Sequence, residues 1–100
     1  MSELCLTLLC PPEVEEKLLD LLLLSSNVRV FTSTPTAAHG LDPEQLDQIE
    51  QVLGRARATQ VQVIVGAQDK AALLATISRQ FVGTGLRYWV MPVLEAGELA

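Results

Sequence analysis

The stretch TQVQVIVGAQDKAALLATISRQF, residues 59–81, contains the two patterns on which the fold depends. In its first seven residues, Val61, Val63 and Val65 recur at every second position, with Gln60 and Gln62 on either side of the first of them, which is typical of a strand with one buried face. After Gly66 the period changes to that of a helix, which Asp69 is placed to cap. The apolar stripe of this helix consists of Leu73, Leu74, Ile77 and Phe81. A strand therefore leads directly into an amphipathic helix.

The start of the chain repeats this pairing of a strand with a helix. Glu3–Cys10 is almost wholly apolar, as expected for a central strand. The pair Pro11-Pro12 ends the strand, because proline cannot donate to a sheet ladder. Pro12 also suits the first turn of a helix, and leucines three and four residues apart extend its apolar face to residue 24.

Two further strands and an insert complete the order. Residues 28–36 predict a second strand, residues 36–40 a loop, and residues 86–94 the last strand, followed by a tail over 95–100. Residues 40–58 form an insert with a short acidic helix that Asp42 caps and Gly54 ends. One side of this helix is apolar, at Leu46, Ile49 and Leu53. The opposite, solvated side carries Asp42, Glu44, Asp47 and Glu50.

The resulting order β-α-β-β-α-β predicts an α+β fold over a single domain, residues 1–100. We expect a ferredoxin-like sandwich, in which a four-stranded antiparallel sheet carries two helices on one face. The extra short helix lies in the loop between the second and third strands. The other sheet face would be partly exposed in a monomer, at residues such as Cys5, Leu9, Phe31, Ile64 and Trp89. Oligomerisation would cover it.

Composition narrows the function classes. The formal net charge of −5 disfavours nucleic acid and anionic membrane surfaces, which both require clustered basic residues. Apolar runs such as residues 21–24 are far shorter than the roughly 20 residues that a membrane-spanning helix needs. The start Met-Ser-Glu lacks the positive charge of a signal peptide. We therefore expect a cytoplasmic protein in which Cys5 and Cys10 are reduced thiols.

Catalytic and metal sites have few candidate residues. The chain has one histidine, His39, so every Ser/His/Asp arrangement would depend on it, and the carboxylates fall on helix faces. These patterns do not favour an enzyme. A metal ion held by Cys10 and His39 is a hypothesis that competes with a buried thiol and a solvated histidine.

An anion site and a docking site are the other hypotheses. The backbone of Gly83-Thr84-Gly85 is suited to cradle an anion, and Arg55, Arg57 and Arg87 would surround it; a plain turn and isolated solvated arginines are the alternatives. The apolar side of the insert helix either packs on its own domain or docks on a partner protein.

The complete chain resembles the PII-like family, related to the nitrogen regulatory protein PII. The resemblance is carried by the element order, the long insert and the segments EQVLGRAR (residues 50–57) and LRYWVMPV (residues 86–93). These segments are similar to a small uncharacterised branch that is often encoded beside heavy-metal efflux pumps. The resemblance implies a homotrimer with inward-facing sheets, an insert that contacts a target protein, and a small ligand between subunits.

The sequence departs from the nucleotide-binding members of that family. It lacks their longer Gly-rich loop with an acidic residue and a lysine, and only Ala96-Gly97-Glu98 stands where they carry an Arg-Thr-Gly-Glu type motif. The modifiable tyrosine of their loop is absent, since Tyr88 lies in the last strand. Nucleotide binding is therefore not carried over, and no cofactor is assigned.

We expect a non-enzymatic, trimeric signalling protein whose β2–β3 loop acts on a partner, with a metal-efflux transporter as one candidate. The alternative is a small heavy-metal-binding carrier or sensor. A small acylphosphatase-type enzyme ranks last, because the first strand is followed by prolines and a glutamate instead of an anion-holding loop with an arginine.

Overall fold

The computed structural model describes residues 2–40 and 47–99, without the side chains of residues 51–53. The elements of the first half are β1 (Glu3–Cys10), a 3-10 turn (Pro12–Val14), α1 (Glu15–Leu24) and β2 (Phe31–His39). Those of the second half are α2 (Gln48–Leu53), β3 (Arg55–Gly66), α3 (Lys70–Phe81) and β4 (Arg87–Val93).

The four strands form one sheet in the order β2-β3-β1-β4, and every neighbouring pair is antiparallel. Helices α1 and α3 share a single core with alternate residues of the central strands, so both lie on the same face of the sheet. This arrangement confirms the predicted α+β ferredoxin-like fold.

The core lies between the sheet and these two helices. Period-2 alternation sends one set of β1 and β3 side chains toward α1 and α3. Full burial of each such aliphatic side chain contributes about 1.5–3 kcal/mol to folding. The buried residues of this core are Leu6, Leu8, Cys10, Leu18, Leu22, Val61, Val63, Val65, Leu73, Ile77 and Phe81.

The opposite face of the sheet, which we call the open face, is not covered by α1 or α3. Four of the residues expected there are present, namely Cys5, Leu9, Ile64 and Trp89, as strand register and alternation show. The expectation for Phe31 was wrong. Phe31 lies opposite Val63, one of the core valines, and packs against the main core.

The hairpin of β2 and β3 differs from the prediction. Strand β2 begins at Phe31 and continues to His39, and β3 begins at Arg55, where the sequence predicted loop over residues 36–40 and insert up to residue 58. The ladder runs without interruption to the pair His39 and Arg55. Small alanines pair across it, at Ala38 and Ala56 for example. The segment TAAH shows no apolar alternation, and in RARA arginine alternates only with alanine, which is a poor strand former, so neither segment gave a clear strand signal.

The insert is correspondingly shorter. Its described helix, α2, begins at Gln48, and Asp47 is the N-cap because its carboxylate accepts the Glu50 N–H at 2.8 Å. The predicted cap Asp42 and the predicted docking residue Leu46 lie outside the described residues, as does the side chain of Leu53. Gly54 ends α2 as predicted, with a φ of 70° and an N–H that donates to the Glu50 carbonyl at 2.8 Å.

Gly54→Ala is expected to cost about 1 kcal/mol, because an L side chain is strained at positive φ even where space is open. Hydrogen–deuterium exchange of the peptide covering residues 47–57 should become faster. Gly97→Ala is the matched control, since Gly97 also has no atom within 4 Å of the added carbon but lacks a positive φ. Equal exchange in both variants would contradict this account of the α2 terminus.

Candidate functional site

A cleft of about 270 Å³ opens beyond the end of β1, at the base of the insert. Four segments meet there: Pro11 with the 3-10 turn before α1, the turn between α3 and β4, the paired ends of β2 and β3, and helix α2. Four of the five predicted ligand residues line it, namely Arg57, Gly83, Gly85 and Arg87. Arg55 does not line it and instead borders a neighbouring groove beside α2.

The turn between α3 and β4 forms one wall of the cleft from backbone. Gly83 and Gly85 take φ values of 77° and 86°, which favour glycine. Between them the Thr84 hydroxyl donates to the Phe81 carbonyl at 2.6 Å and accepts the Leu86 N–H at 3.4 Å. A β-carbon on Gly85 would lie 3.7 Å from Pro11 Cγ across the gap. The turn is therefore closed by its own hydrogen bonds, and only backbone faces Pro11.

Small side chains form another side of the cleft. Ala38, Ala56 and Ala58 make a separate buried cluster on the β2–β3 hairpin, and Leu9 packs against it. These three alanines also line the cleft. Because each side chain ends at its β-carbon, the paired strands leave room for a ligand beside the sheet.

Glu50 of α2 also lines the cleft, and sequence reasoning misplaced it on a solvated face. The side chain is half-buried and hydrogen-bonded. Its Oε2 accepts the backbone N–H of Arg57 at 2.9 Å, and its Oε1 accepts that of Asp47 at 3.2 Å. The spacing Asp47-x-x-Glu50 is that of a capping box, and this signal could have indicated the true helix start.

Cys10 lies at the end of β1, close to the start of α1. Burial, followed by the negative charges of Glu15 and Glu13, raises the pKa of the Cys10 thiol to about 11. Glu15 itself accepts a hydrogen bond from the Thr59 hydroxyl on β3. The fold therefore favours a neutral thiol at Cys10, whereas soft metals bind the thiolate.

The structure does not bring Cys10 and His39 together. Cys10 lies opposite Thr59 of β3, and His39 lies opposite Arg55, four residues further along that strand. Four residues of strand span about 13 Å. No group of three or more His, Cys, Asp or Glu side chains suited to a metal ion occurs among residues 2–40 and 47–99. These described residues therefore provide no ligand set for the hypothesis of a metal carrier.

Iodoacetamide at pH 8 is expected to alkylate Cys10 at least roughly a hundredfold more slowly in the folded chain than in urea. The shift from 9.0 to about 11 lowers the thiolate fraction by that factor, and burial limits access as well. A Cys5→Ser background leaves Cys10 as the one thiol that mass spectrometry would follow. Similar labelling rates in both states would show that the fold does not protect it.

The insert offers one described apolar residue to a partner. Ile49 is 72 % exposed on α2, while the other two predicted docking residues, Leu46 and the side chain of Leu53, lie outside the described part. Ile49 lines the groove beside α2 that also contains Arg55. In the described ranges, no helix is long and apolar enough to cross a membrane.

The geometry defines a ferredoxin-like α+β domain with a ligand-sized cleft at the base of an inserted helix. The chain belongs to the DUF3240 family of proteins of unknown function, whose family model matches residues 1–100. No curated protein matches the sequence.

Solved structures show the same fold at low sequence identity. A DUF3240 family protein from Shewanella baltica OS155 superposes with a TM-score of 0.83 at 19 % identity, covering 100 % of this chain and 99 % of that one. A Bacillus cereus protein related to NIF3 superposes with a TM-score of 0.72 at 14 % identity. The match covers 97 % of this chain but 26 % of the Bacillus protein.

Proposed function

We propose that this chain is a non-enzymatic, PII-like regulatory protein of the cytoplasm that acts on a partner protein through its β2–β3 insert. The observation that carries this proposal is the position of Glu50, which belongs to the insert yet lines the same cleft as the Gly83–Gly85 turn. A ligand in the cleft would contact both the insert and the sheet domain. Ligand occupancy would therefore change how the insert is held.

Assembly into a homotrimer through the open face is the second part of the proposal. On β1 and β4 the open face presents Cys5, Leu9, Trp89 and Met91, with exposed fractions of 42 % for Trp89 and 44 % for Met91. Its charged residues among the described strands are Glu3 and Arg87, at opposite ends of the β1–β4 ladder. A nearly uncharged sheet face with a half-exposed tryptophan is typical of a subunit interface.

The partner would meet the insert at Ile49. An isoleucine that is 72 % exposed on a short helix provides an apolar contact at the outer end of the domain. A heavy-metal efflux transporter is our candidate target, on the strength of the resemblance of residues 50–57 and 86–93 to the branch encoded beside such pumps.

Ile49→Ser is expected to reduce co-purification of the transporter with the tagged full chain at least roughly fivefold, because exposed apolar contacts dominate binding by short helices. The measurement uses detergent-solubilised membranes from cells grown with zinc or copper. Leu24→Ser is the matched control: Leu24 is 87 % exposed on a helix, but on α1, far from the insert in sequence. Unchanged recovery with Ile49→Ser, or equal losses with both variants, would refute docking through the insert.

A further inference from the structure

Glu50 joins two elements through a single carboxylate. One oxygen accepts the Arg57 N–H at the start of β3, and the other accepts the Asp47 N–H at the start of α2. The Glu50 backbone adds to the same network, since its N–H donates to the Asp47 carboxylate and its carbonyl accepts the Gly54 N–H. If the carboxylate left this position, the hydrogen bond between α2 and β3 and the capping box would be lost together.

We propose that the Glu50 carboxylate is the resident occupant of an oxyanion position in the cleft, and that a ligand bearing a carboxylate or phosphate group displaces it. This inference rests on the proposed function of the cleft and adds the chemical class of its ligand. The incoming oxyanion replaces Glu50 as the acceptor of the hydrogen bond from the Arg57 N–H, and this exchange releases α2 from β3.

The charges that line the cleft favour such an exchange. Two arginines, Arg57 and Arg87, and two glutamates, Glu13 and Glu50, are among the residues that line the cleft, so the formal charge of the lining residues is zero while Glu50 is in place. Movement of Glu50 out of the cleft leaves an excess of one positive charge. Anion binding and release of α2 are then coupled, and each favours the other by the same free energy.

The size of the cleft limits the ligand. A volume of about 270 Å³ is just below the roughly 300 Å³ at which pockets for drug-sized molecules begin. The alanines Ala38, Ala56 and Ala58 and the two glycines of the α3–β4 turn keep it open without offering apolar bulk. A phosphate ion, a phosphate ester or a small carboxylic acid fits this description.

Nuclear magnetic resonance of the ¹⁵N-labelled full chain tests the exchange directly. The protein is titrated with inorganic phosphate and, separately, with succinate, at constant ionic strength adjusted with chloride. As the site fills, we expect the Arg57 amide to shift because its hydrogen-bond acceptor is replaced, and the Asp47 amide to lose protection against hydrogen exchange because Glu50 has left it. Response to one probe alone would identify the ligand as a phosphate or a carboxylate, and either response supports the proposal.

Two variants distinguish the effect of the Glu50 hydrogen bonds from the effect of negative charge in the cleft. Glu50→Gln keeps a side chain suited to the capping box but loses the charge, so we expect phosphate or succinate to bind roughly two- to fivefold more tightly. In this variant the Arg57 amide should already exchange faster without ligand. Glu13→Gln removes the other carboxylate of the cleft and makes no contact with the Arg57 N–H. It should also tighten binding, while the Arg57 amide stays protected and the Asp47 amide loses protection only when ligand is added.

Two results would overturn the proposal. In the first, neither probe binds the wild type or Glu50→Gln. In the second, a probe shifts Gly85 and Arg87 while the Arg57 amide does not shift and Asp47 keeps its full protection, which would mean that the ligand and Glu50 do not compete. The partner-docking role of Ile49 would survive both results, because its test requires no ligand.

Discussion

Met91→Glu is expected to convert the proposed trimer into folded monomers. Met91 lies on the open face opposite Cys5, which in turn lies opposite Ile64, so the new carboxylate would enter the apolar patch that these residues form. A charge buried in an interface without a partner costs about 3–5 kcal/mol. In the single subunit Met91 is 44 % exposed, so the same carboxylate would remain hydrated. Sedimentation velocity and circular dichroism would follow assembly and folding separately.

Leu94→Glu is the control for this substitution. Leu94 follows β4 directly and is fully exposed, so the substitution introduces the same carboxylate at a position outside the sheet. We expect it to leave the sedimentation coefficient unchanged. If Met91→Glu sedimented like the wild type, the open face would not be the subunit interface.

Phe81→Ala is expected to lower the free energy of unfolding by about 3–5 kcal/mol, the usual cost of removing a buried phenylalanine. Phe81 is buried in the main core at the end of α3, and the Lys17 ammonium group lies 5.2 Å from its ring centre. The loss is large beside a total stability of roughly 5–15 kcal/mol. The Phe81 carbonyl also accepts hydrogen bonds from the Thr84 N–H and the Thr84 hydroxyl. The cavity should therefore loosen the turn that lines the cleft.

Urea denaturation would measure the global loss, and exchange of the Thr84 amide would measure the local one. Val82→Ala serves as the control, because Val82 is next in the chain but 81 % exposed, and we expect a change within about 0.5 kcal/mol. A cost for Phe81→Ala near that of the control would mean that the end of α3 does not contribute to the core.

The fold could be predicted because its elements repeat at the periods of strands and helices. Glu3–Cys10 has the predicted bounds, and Leu73, Ile77 and Phe81 are buried on α3. The predicted β2 and β3 were both too short, because cross-strand contact of alanines depends on pairing with a distant segment and the small, weakly strand-forming alanines give only a faint hydrophobic period. Phe31 was assigned to the wrong face, because a shift of strand parity by one residue reverses every side chain.

The candidate site was predicted in part. Glycines and arginines far apart in sequence meet at the cleft because β1 lies between β3 and β4, which brings the residue-57 end of β3 toward the Gly83–Gly85 turn. Arg55 is the first residue of β3, two residues before Arg57, and this position places it beyond the cleft. Glu50 was missed because an acid on a short helix favours solvent by default, and its hydrogen bond to the Arg57 N–H requires the folded hairpin.

The central claim is that three copies of this chain assemble through the open face into a regulator whose inserts act on a partner. Light scattering coupled to size-exclusion chromatography of the full chain tests it most directly. The account predicts a single species with three times the mass of the 10.9 kDa chain, independent of dilution over the micromolar range. A stable monomer would contradict the account, because Trp89 and Met91 would then have no subunit to cover them.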